Sequence, residues 1–228
     1  FTPNDIMETR KLYFSMVSMV DELVGMVMEQ LNTLGLTENT IVVLTSDHGE
    51  MNGDHGMWAK INFYEESVKI PCLVSFPKMF DGGREVDALV EAVDFMPTLL
   101  DLAGVESPNS ASGKSFKGLL TGDSSEHKSA ISSTFFEVER KVRYVRTNKY
   151  CCSYGYKAEE GLTGELYDMQ NDPDQRFNLY NDHNYKQIRD EYREYYRSSM
   201  LAQEAQMRMN LYAAARDFTM KRASALTL

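Results

Sequence analysis

The sequence predicts an α/β chain that ends in a small antiparallel sheet with a terminal helix. A long helical apolar pattern over residues 7–34 is followed at once by a short β-branched run, Ile41-Val-Val-Leu-Thr45, and helix-then-strand is the elementary step of α/β folds. A second apolar run, Pro71-Cys-Leu-Val-Ser-Phe76, leads into renewed helical periodicity over 87–103. Beyond residue 130, short strand-like segments separated by turn signals replace that alternation, and a helical pattern closes the chain.

In the first helix, Leu12, Met16, Met19, Val20, Leu23, Val27, Leu31 and Leu34 recur at steps of three and four. Gly35 supplies its C-terminal stop. Gly25 weakens the helix by about 1 kcal/mol against alanine, which points to a close-packed neighbour. Ile41–Thr45, a short apolar run bounded by turn residues, reads as a buried strand of a parallel sheet. Over 87–103, Leu89, Val90, Val93, Met96, Leu99, Leu100 and Ala103 form a stripe interrupted by Pro97, which predicts two short helices around Asp94-Phe-Met-Pro97, the second ended by Gly104. Residues 105–130, rich in Ser, Gly and Lys, read as a connection. Ala130–Phe136, Arg140–Cys152 and Gly164-Glu-Leu-Tyr-Asp168 read as strands, with turns at Thr147-Asn-Lys149 and Asn171-Asp-Pro-Asp174. From Asn184, Tyr185, Ile188, Tyr192, Tyr195 and Met200 line one helical face, and the pattern runs on past residue 218. The expected division is residues 1–125 for the α/β part and 126–228 for the small C-terminal subdomain.

A net charge of −10 argues against a nucleic-acid partner, which asks for a basic face. No apolar run reaches membrane-spanning length. The chain opens on Phe1-Thr-Pro with no initiator Met and no signal-like segment, so it is expected to start inside a longer protein. The three cysteines form no disulfide framework and no metal-finger spacing: Cys72 reads as a small buried hydrophobe, and Cys151 and Cys152 are adjacent.

The chemistry gathers where the first strand ends. Asp47 and His48 follow Thr45-Ser46 directly, and ligands of open α/β sheets bind beyond the carboxyl ends of strands. Asp47 offers hard oxygen and His48 nitrogen, which together are an incomplete shell for any divalent ion. Taken alone, the pair reads as a turn-capping acid and a loop histidine before it reads as a metal site. Gly56-Met-Trp-Ala-Lys60 then brings a compact cation suited to an oxyanion, with Trp58 as a rigid wall; alone, Lys60 reads as a solvated lysine. Ser46, Asp47 and His48 are consecutive and cannot converge as a triad, and no Gly-x-Ser-x-Gly elbow is present, which sets serine-hydrolase chemistry aside.

Order and spacing together are more specific. Thr45-Ser-Asp-His-Gly49, His55-Gly-x-Trp-x-Lys60, Tyr64-Glu-Glu66, Ile70-Pro71, Asp94-Phe-Met-Pro-Thr-Leu-Leu-Asp-Leu-Ala-Gly104, Arg143-Tyr-Val-Arg-Thr-Asn-Lys-Tyr150, Glu165-Leu-Tyr-Asp-Met169, Asp172-Pro173 and Asn178-Leu179 resemble, in order, the formylglycine-dependent sulfatases of the alkaline-phosphatase superfamily. The resemblance implies part of an alkaline-phosphatase-like α/β sandwich plus a small antiparallel sheet subdomain. It implies that Asp47 and His48 are ligands of a divalent metal, commonly calcium, for which nitrogen is an unusual ligand. It makes Lys60 a catalytic residue that contacts the sulfate and the leaving oxygen, and lets His55 line the substrate pocket, where a structural hydrogen bond is the other reading. The family's nucleophile, a formylglycine made within Cys/Ser-x-Pro/Ala-x-Arg, has no counterpart here: Cys72 heads Cys-Leu-Val-Ser-Phe and Cys151 heads Cys-Cys-Ser-Tyr-Gly. The paired aspartates that complete the metal shell are missing too. The expectation is therefore the C-terminal part of a sulfatase acting on a sulfated small molecule or carbohydrate, periplasmic or secreted, with the isolated chain inactive. A phosphonate or phosphodiester hydrolase of the same superfamily, and a non-catalytic module binding sulfated glycans, stay open as alternatives.

Overall fold

The computed structural model describes residues 2–108, 110–137, 140–157 and 161–225; Phe1, on which the expected internal start rests, lies outside them. The chain divides into two compact units, Phe1–Val86 with Leu120–Asp123, and Asp87–Leu119 with Ser124–Leu228.

The first unit begins with helix α1, Pro3–Thr33. Its start is a reciprocal cap: the Asp5 N–H donates to the Thr2 hydroxyl, and the Asp5 carboxylate accepts the Thr2 N–H at 2.7 Å. It stops at Gly35, whose φ of +65° lets the Gly35 and Leu36 N–H groups turn back onto the carbonyls of Asn32 and Leu31. The apolar stripe expected of this helix exists, but no residue of α1 is buried. Leu12 is 68% exposed and Leu23 53%. Gly25 has nothing within 4 Å of where a Cβ would stand, so the close-packed neighbour inferred for it is not among the described residues.

Strand β1, Val42–Thr45, pairs antiparallel with β2, Cys72–Ser75, in the register Val42↔Ser75 to Thr45↔Cys72. This corrects the expectation of a buried parallel strand. An apolar run carries no information on the direction of its partner, and here the next strand returns through one long loop. Leu44 and Leu73 are exposed, as is Cys72, which corrects its reading as a buried hydrophobe. Among the described residues no layer covers this pair. A short helix, α2, spans Glu65–Val68 within the connecting loop.

The second unit opens with a single 3₁₀ turn, Ala92–Asp94, running into α3, Phe95–Leu102. Two short helical elements do meet at Asp94–Phe95, as expected, but Pro97 is not what separates them: it stands in the first turn of α3, where its missing N–H has no intrahelical partner to lose. Asp94 is fully buried. Its carboxylate accepts the N–H groups of Glu91 and Lys114 at 3.0 and 2.8 Å, the Lys128 ammonium at 2.8 Å, and a contact from His127 Nε2 at 3.2 Å. Burial raises its pKa, but Lys128 and the two backbone donors outweigh that and hold the carboxyl below the usual range. The stretch read as a connection is thus partly built into this unit, since Phe116 and Leu119, the latter on helix α4 (Lys117–Thr121), are buried.

Four strands follow, β3 Ile131–Glu137, β4 Arg140–Arg146, β5 Tyr150–Lys157 and β6 Gly161–Asp168, as an antiparallel meander in chain order. Strand registers align Val145, Cys152 and Leu166 in one row across β4, β5 and β6. Helix α5, Lys186–Ala225, lays Tyr192 and Tyr196 onto that row, with Tyr154 and Tyr180 completing the core. Two tyrosine hydroxyls of α5 bond across to the sheet unit: Tyr192 meets Thr147 Oγ1 at 2.6 Å, and Tyr195 donates to the Ala130 carbonyl at 2.9 Å. Guanidinium groups alternate with rings: Arg143 lies over Tyr154 and Tyr196, and Arg193 over Tyr154 and Tyr180. Burial pushes the Cys152 thiol up to about 12, as suits an inert packing residue.

Candidate active site

The candidate residues occupy the loop between β1 and α2, in the first unit. β1 ends at Thr45, and Ser46 turns the chain by donating to the His48 carbonyl at 2.8 Å. The His48 N–H donates to Asp47 Oδ1 at 3.0 Å. Gly49 follows, and only glycine fits: its N–H donates to the Ser67 carbonyl, and a Cβ there would stand 1.9 Å from the Glu66 carbonyl oxygen. That contact docks the end of β1 against α2.

His48 Nδ1 lies 2.8 Å from the Gly49 carbonyl, which can only accept, so this nitrogen carries the proton. Asp47 Oδ2 stands 3.2 Å from Nε2, an ion pair when the ring is protonated and a neighbouring lone pair when it is not. In the unprotonated state the two atoms are available as neighbouring donors to one cation. The Lys60 ammonium lies 2.5 Å from Nε2. The pair thus fits part of the shell of a hard divalent ion. Among the described residues no group of three or more His, Cys, Asp or Glu side chains could hold one, so the remaining ligands are not in this set. Asp47 is open to solvent, its side chain 82% exposed. The desolvation it does feel raises its pKa, while the charge His48 carries when protonated, the Asp47 and His48 backbone and the Ser46 hydroxyl together lower it, with a net shift downward that favours the charged form.

Asp47, His48 and Lys60 are therefore brought together. His55 is not joined to them by any described contact. It adopts a left-handed backbone, φ +52°, stacks on Tyr64 at 3.9 Å between centroids, and turns Nε2 toward the Glu66 carboxylate at 4.0 Å. The loop is tied to α1, where Arg10 donates to the Asn52 carbonyl and forms an ion pair with Asp54 at 2.7 Å. Sequence reasoning missed three groups that shape the loop, Glu50, Ala59 and Ser67, and met Gly49 only as part of a motif. Glu50 stands inside the run Asp47-His-Gly-Glu50, next to the residues singled out, and was legible only as a loop acid.

The comparisons with known proteins agree on a family. The family "N-sulphoglucosamine sulphohydrolase, C-terminal" matches residues 53–201, and "Type I phosphodiesterase / nucleotide pyrophosphatase" matches residues 3–73. Arylsulfatase K of Xenopus laevis is 32% identical over 188 residues, covering 78% of this chain and 35% of the relative. A protein solved in complex with its substrate D-glucosamine-2-N,6-O-disulfate superposes with a TM-score of 0.76 at 29% identity, over 83% of this chain and 40% of that one. The phosphonate monoester hydrolase of Agrobacterium radiobacter superposes with a TM-score of 0.78 at 27% identity, over 89% of this chain and 43% of that one. The chain belongs to the sulfatase family of the alkaline-phosphatase superfamily and carries that family's C-terminal region. It spans about a third of the length of the curated relatives it matches.

Proposed function

We propose that the intact enzyme to which this chain contributes hydrolyses sulfate esters, with Lys60 as a catalytic residue. The observation that supports the reading is the meeting of the Lys60 ammonium with His48, which itself faces Asp47, at the carboxyl end of β1. Lys60 offsets negative charge on the sulfate group and on the departing oxygen, an electrostatic role for a preorganised cation. Asp47 and His48 hold a divalent metal, calcium by family resemblance, which when bound polarises sulfate oxygens and activates the nucleophile. The nucleophile is a formylglycine from the family's Cys/Ser-x-Pro/Ala-x-Arg motif, which this sequence does not contain. His55 lines the substrate pocket in the same reading, held by its stack on Tyr64. In this reading residues 1–125 are the C-terminal part of the main α/β domain and residues 126–228 the small C-terminal subdomain.

The substrate class is a sulfated carbohydrate or sulfated small molecule. Support comes from the disulfated glucosamine bound by a structural neighbour and from the amino-sugar sulfatase family that matches most of the chain. Export to the periplasm or the extracellular space suits such a substrate. No helix among the described residues is long and apolar enough to cross a membrane.

The test is Lys60→Ala in the intact enzyme, assayed on an aryl sulfate with calcium. The expected loss is about 10²–10³-fold in kcat, roughly 2.7–4 kcal/mol, with little rescue in Lys60→Arg, whose planar guanidinium cannot reproduce a point contact. A variant that keeps more than about half of the normal kcat/KM, a loss below ~0.5 kcal/mol, removes Lys60 from the site. This chain alone should show no turnover and no tight calcium site.

A phosphonate or phosphodiester hydrolase is the second reading, favoured by the likeness to the phosphonate monoester hydrolase and by the phosphodiesterase family match over residues 3–73. Paired kinetics on sulfate and phosphonate esters separate the two. Binding of sulfated glycans without metal or turnover would instead favour a non-catalytic module.

A further inference from the structure

Lys60 carries a flexible side chain on a backbone that is gripped from both sides. Ala59, the residue before it, adopts a left-handed conformation with φ +65°, which a side chain disfavours and which relaxes unless held. Its N–H donates to Glu50 Oε1 at 2.7 Å, and its carbonyl accepts the N–H of Met51, a fully buried residue, at 3.0 Å. The Lys60 carbonyl accepts the Ser67 hydroxyl at 2.8 Å, and Ser67 is 3% exposed. Ser67 in turn belongs to α2, which also receives the Gly49 N–H from the end of β1. The same short helix therefore anchors the strand end that bears Asp47 and His48 and the peptide that bears Lys60.

We propose that Glu50 and Ser67 are positioning residues for Lys60. The carboxylate holds the Ala59 peptide in its left-handed form, the hydroxyl fixes the next carbonyl, and the ammonium is thereby aimed at the Asp47–His48 end of β1. The inference rests on the reading of Lys60 as the catalytic cation. An acid on a loop that faces an anionic substrate repels it, so a contact between Glu50 and substrate would oppose binding; the bond to Ala59 gives the carboxylate a use. A charged acceptor also makes a shorter and stronger bond than a neutral one, as the 2.7 Å distance reflects.

The experiment is a double-mutant cycle in the intact enzyme with an aryl sulfate. Glu50→Ala is expected to lower kcat about tenfold with KM changed less, and Glu50→Gln, which keeps an Oε1 acceptor, to recover most of the loss. On a Lys60→Ala background, Glu50→Ala should cost less than about twofold, because its effect passes through Lys60. Ser67→Ala should behave in the same way, and its loss of a single buried oxygen keeps the test open where Glu50→Ala does not fold. If Lys60→Ala falls a hundredfold while Glu50→Ala and Ser67→Ala stay within twofold of the parent, the positioning role is wrong and the catalytic reading stands. Losses that multiply in the double variants also overturn it, since a general folding defect would do that. Normal turnover in Lys60→Ala would sink the catalytic reading and this inference together.

Discussion

The two units of the chain have similar apolar sequence patterns and opposite fates. In the first, α1 and the β1–β2 pair keep their stripes exposed, with Leu12, Leu23, Leu44 and Leu73 open to solvent. In the second, the row Val145–Cys152–Leu166 is covered by Tyr192 and Tyr196 of α5, and Leu166 is fully buried. The difference teaches that a periodic apolar face specifies an element but not whether its partner is at hand. The meander and α5 are consecutive, so their contacts close within one segment. The face of α1 asks for a layer that the described residues do not supply.

The largest effect that sharpens this contrast is expected at Asp94. Removing the buried carboxylate by Asp94→Ala leaves the partly buried Lys128 held by Glu91 alone, and should destabilise the second unit by about 3 kcal/mol, measured by urea denaturation. The pH dependence has a definite sign. The folded carboxyl titrates below its unfolded value, so its contribution is present above about pH 4 and lost as pH falls through the folded pKa. Lys128 titrates higher in the folded protein, despite burial, because Asp94 and Glu91 hold its proton. Its contribution is therefore complete below about pH 10 and fades as pH rises through the folded value. An acid titration of the parent and of Asp94→Asn that traces one curve would contradict this.

Leu166→Ala should cost about 2–5 kcal/mol, as for other fully buried leucines, whereas Leu23→Ala on α1 should stay within ~0.5 kcal/mol in this chain. Equal losses by thermal melting would break the comparison between the units. Next comes Gly49→Ala, in which the added methyl meets the Glu66 carbonyl. Overpacking of this kind costs about 1–3 kcal/mol, read as faster hydrogen exchange at the Gly49–Ser67 and Met51–Ala59 contacts. The smallest stability effect is expected from Leu12→Ser with Leu23→Ser, within ~0.5 kcal/mol for each. Those changes should nonetheless lower binding of an apolar dye and self-association, because they break up an exposed patch. Unchanged dye binding would mean that the α1 face is not the sticky surface of the chain.

Much of the local architecture could be read from the residues. Gly35 ends α1 with a positive φ, Thr147–Lys149 turns β4 into β5 through the Thr147 side chain, and Asp168 and Asp172 fold the Asn171–Asp174 turn by accepting backbone N–H groups. Each device involves neighbours within a few positions, so it leaves its mark in the order of residues. The candidate site was legible only in combination: Asp47, His48 and Lys60 each read alone as ordinary loop residues, and the order and spacing of the surrounding motifs singled them out. The Glu50–Ala59 and Ser67–Lys60 bonds left no periodic or motif signal, because they depend on a left-handed peptide that nothing at position 59 declares.

By itself the sequence determined the kinds and order of elements, the caps and turns, the family resemblance, and the lack of a nucleophile motif. All of these are local or additive properties of residue types. Only the tertiary structure decided that β1 and β2 run antiparallel, that Pro97 is harmless in a first turn, and that Asp94 is buried among His127, Lys128 and Glu91. It alone brought Lys60 back to His48 across the loop. Those outcomes depend on which distant groups meet, and a pairwise contact between remote residues is chosen by packing and by the need to satisfy buried polar atoms, neither of which is written in any single stretch of chain.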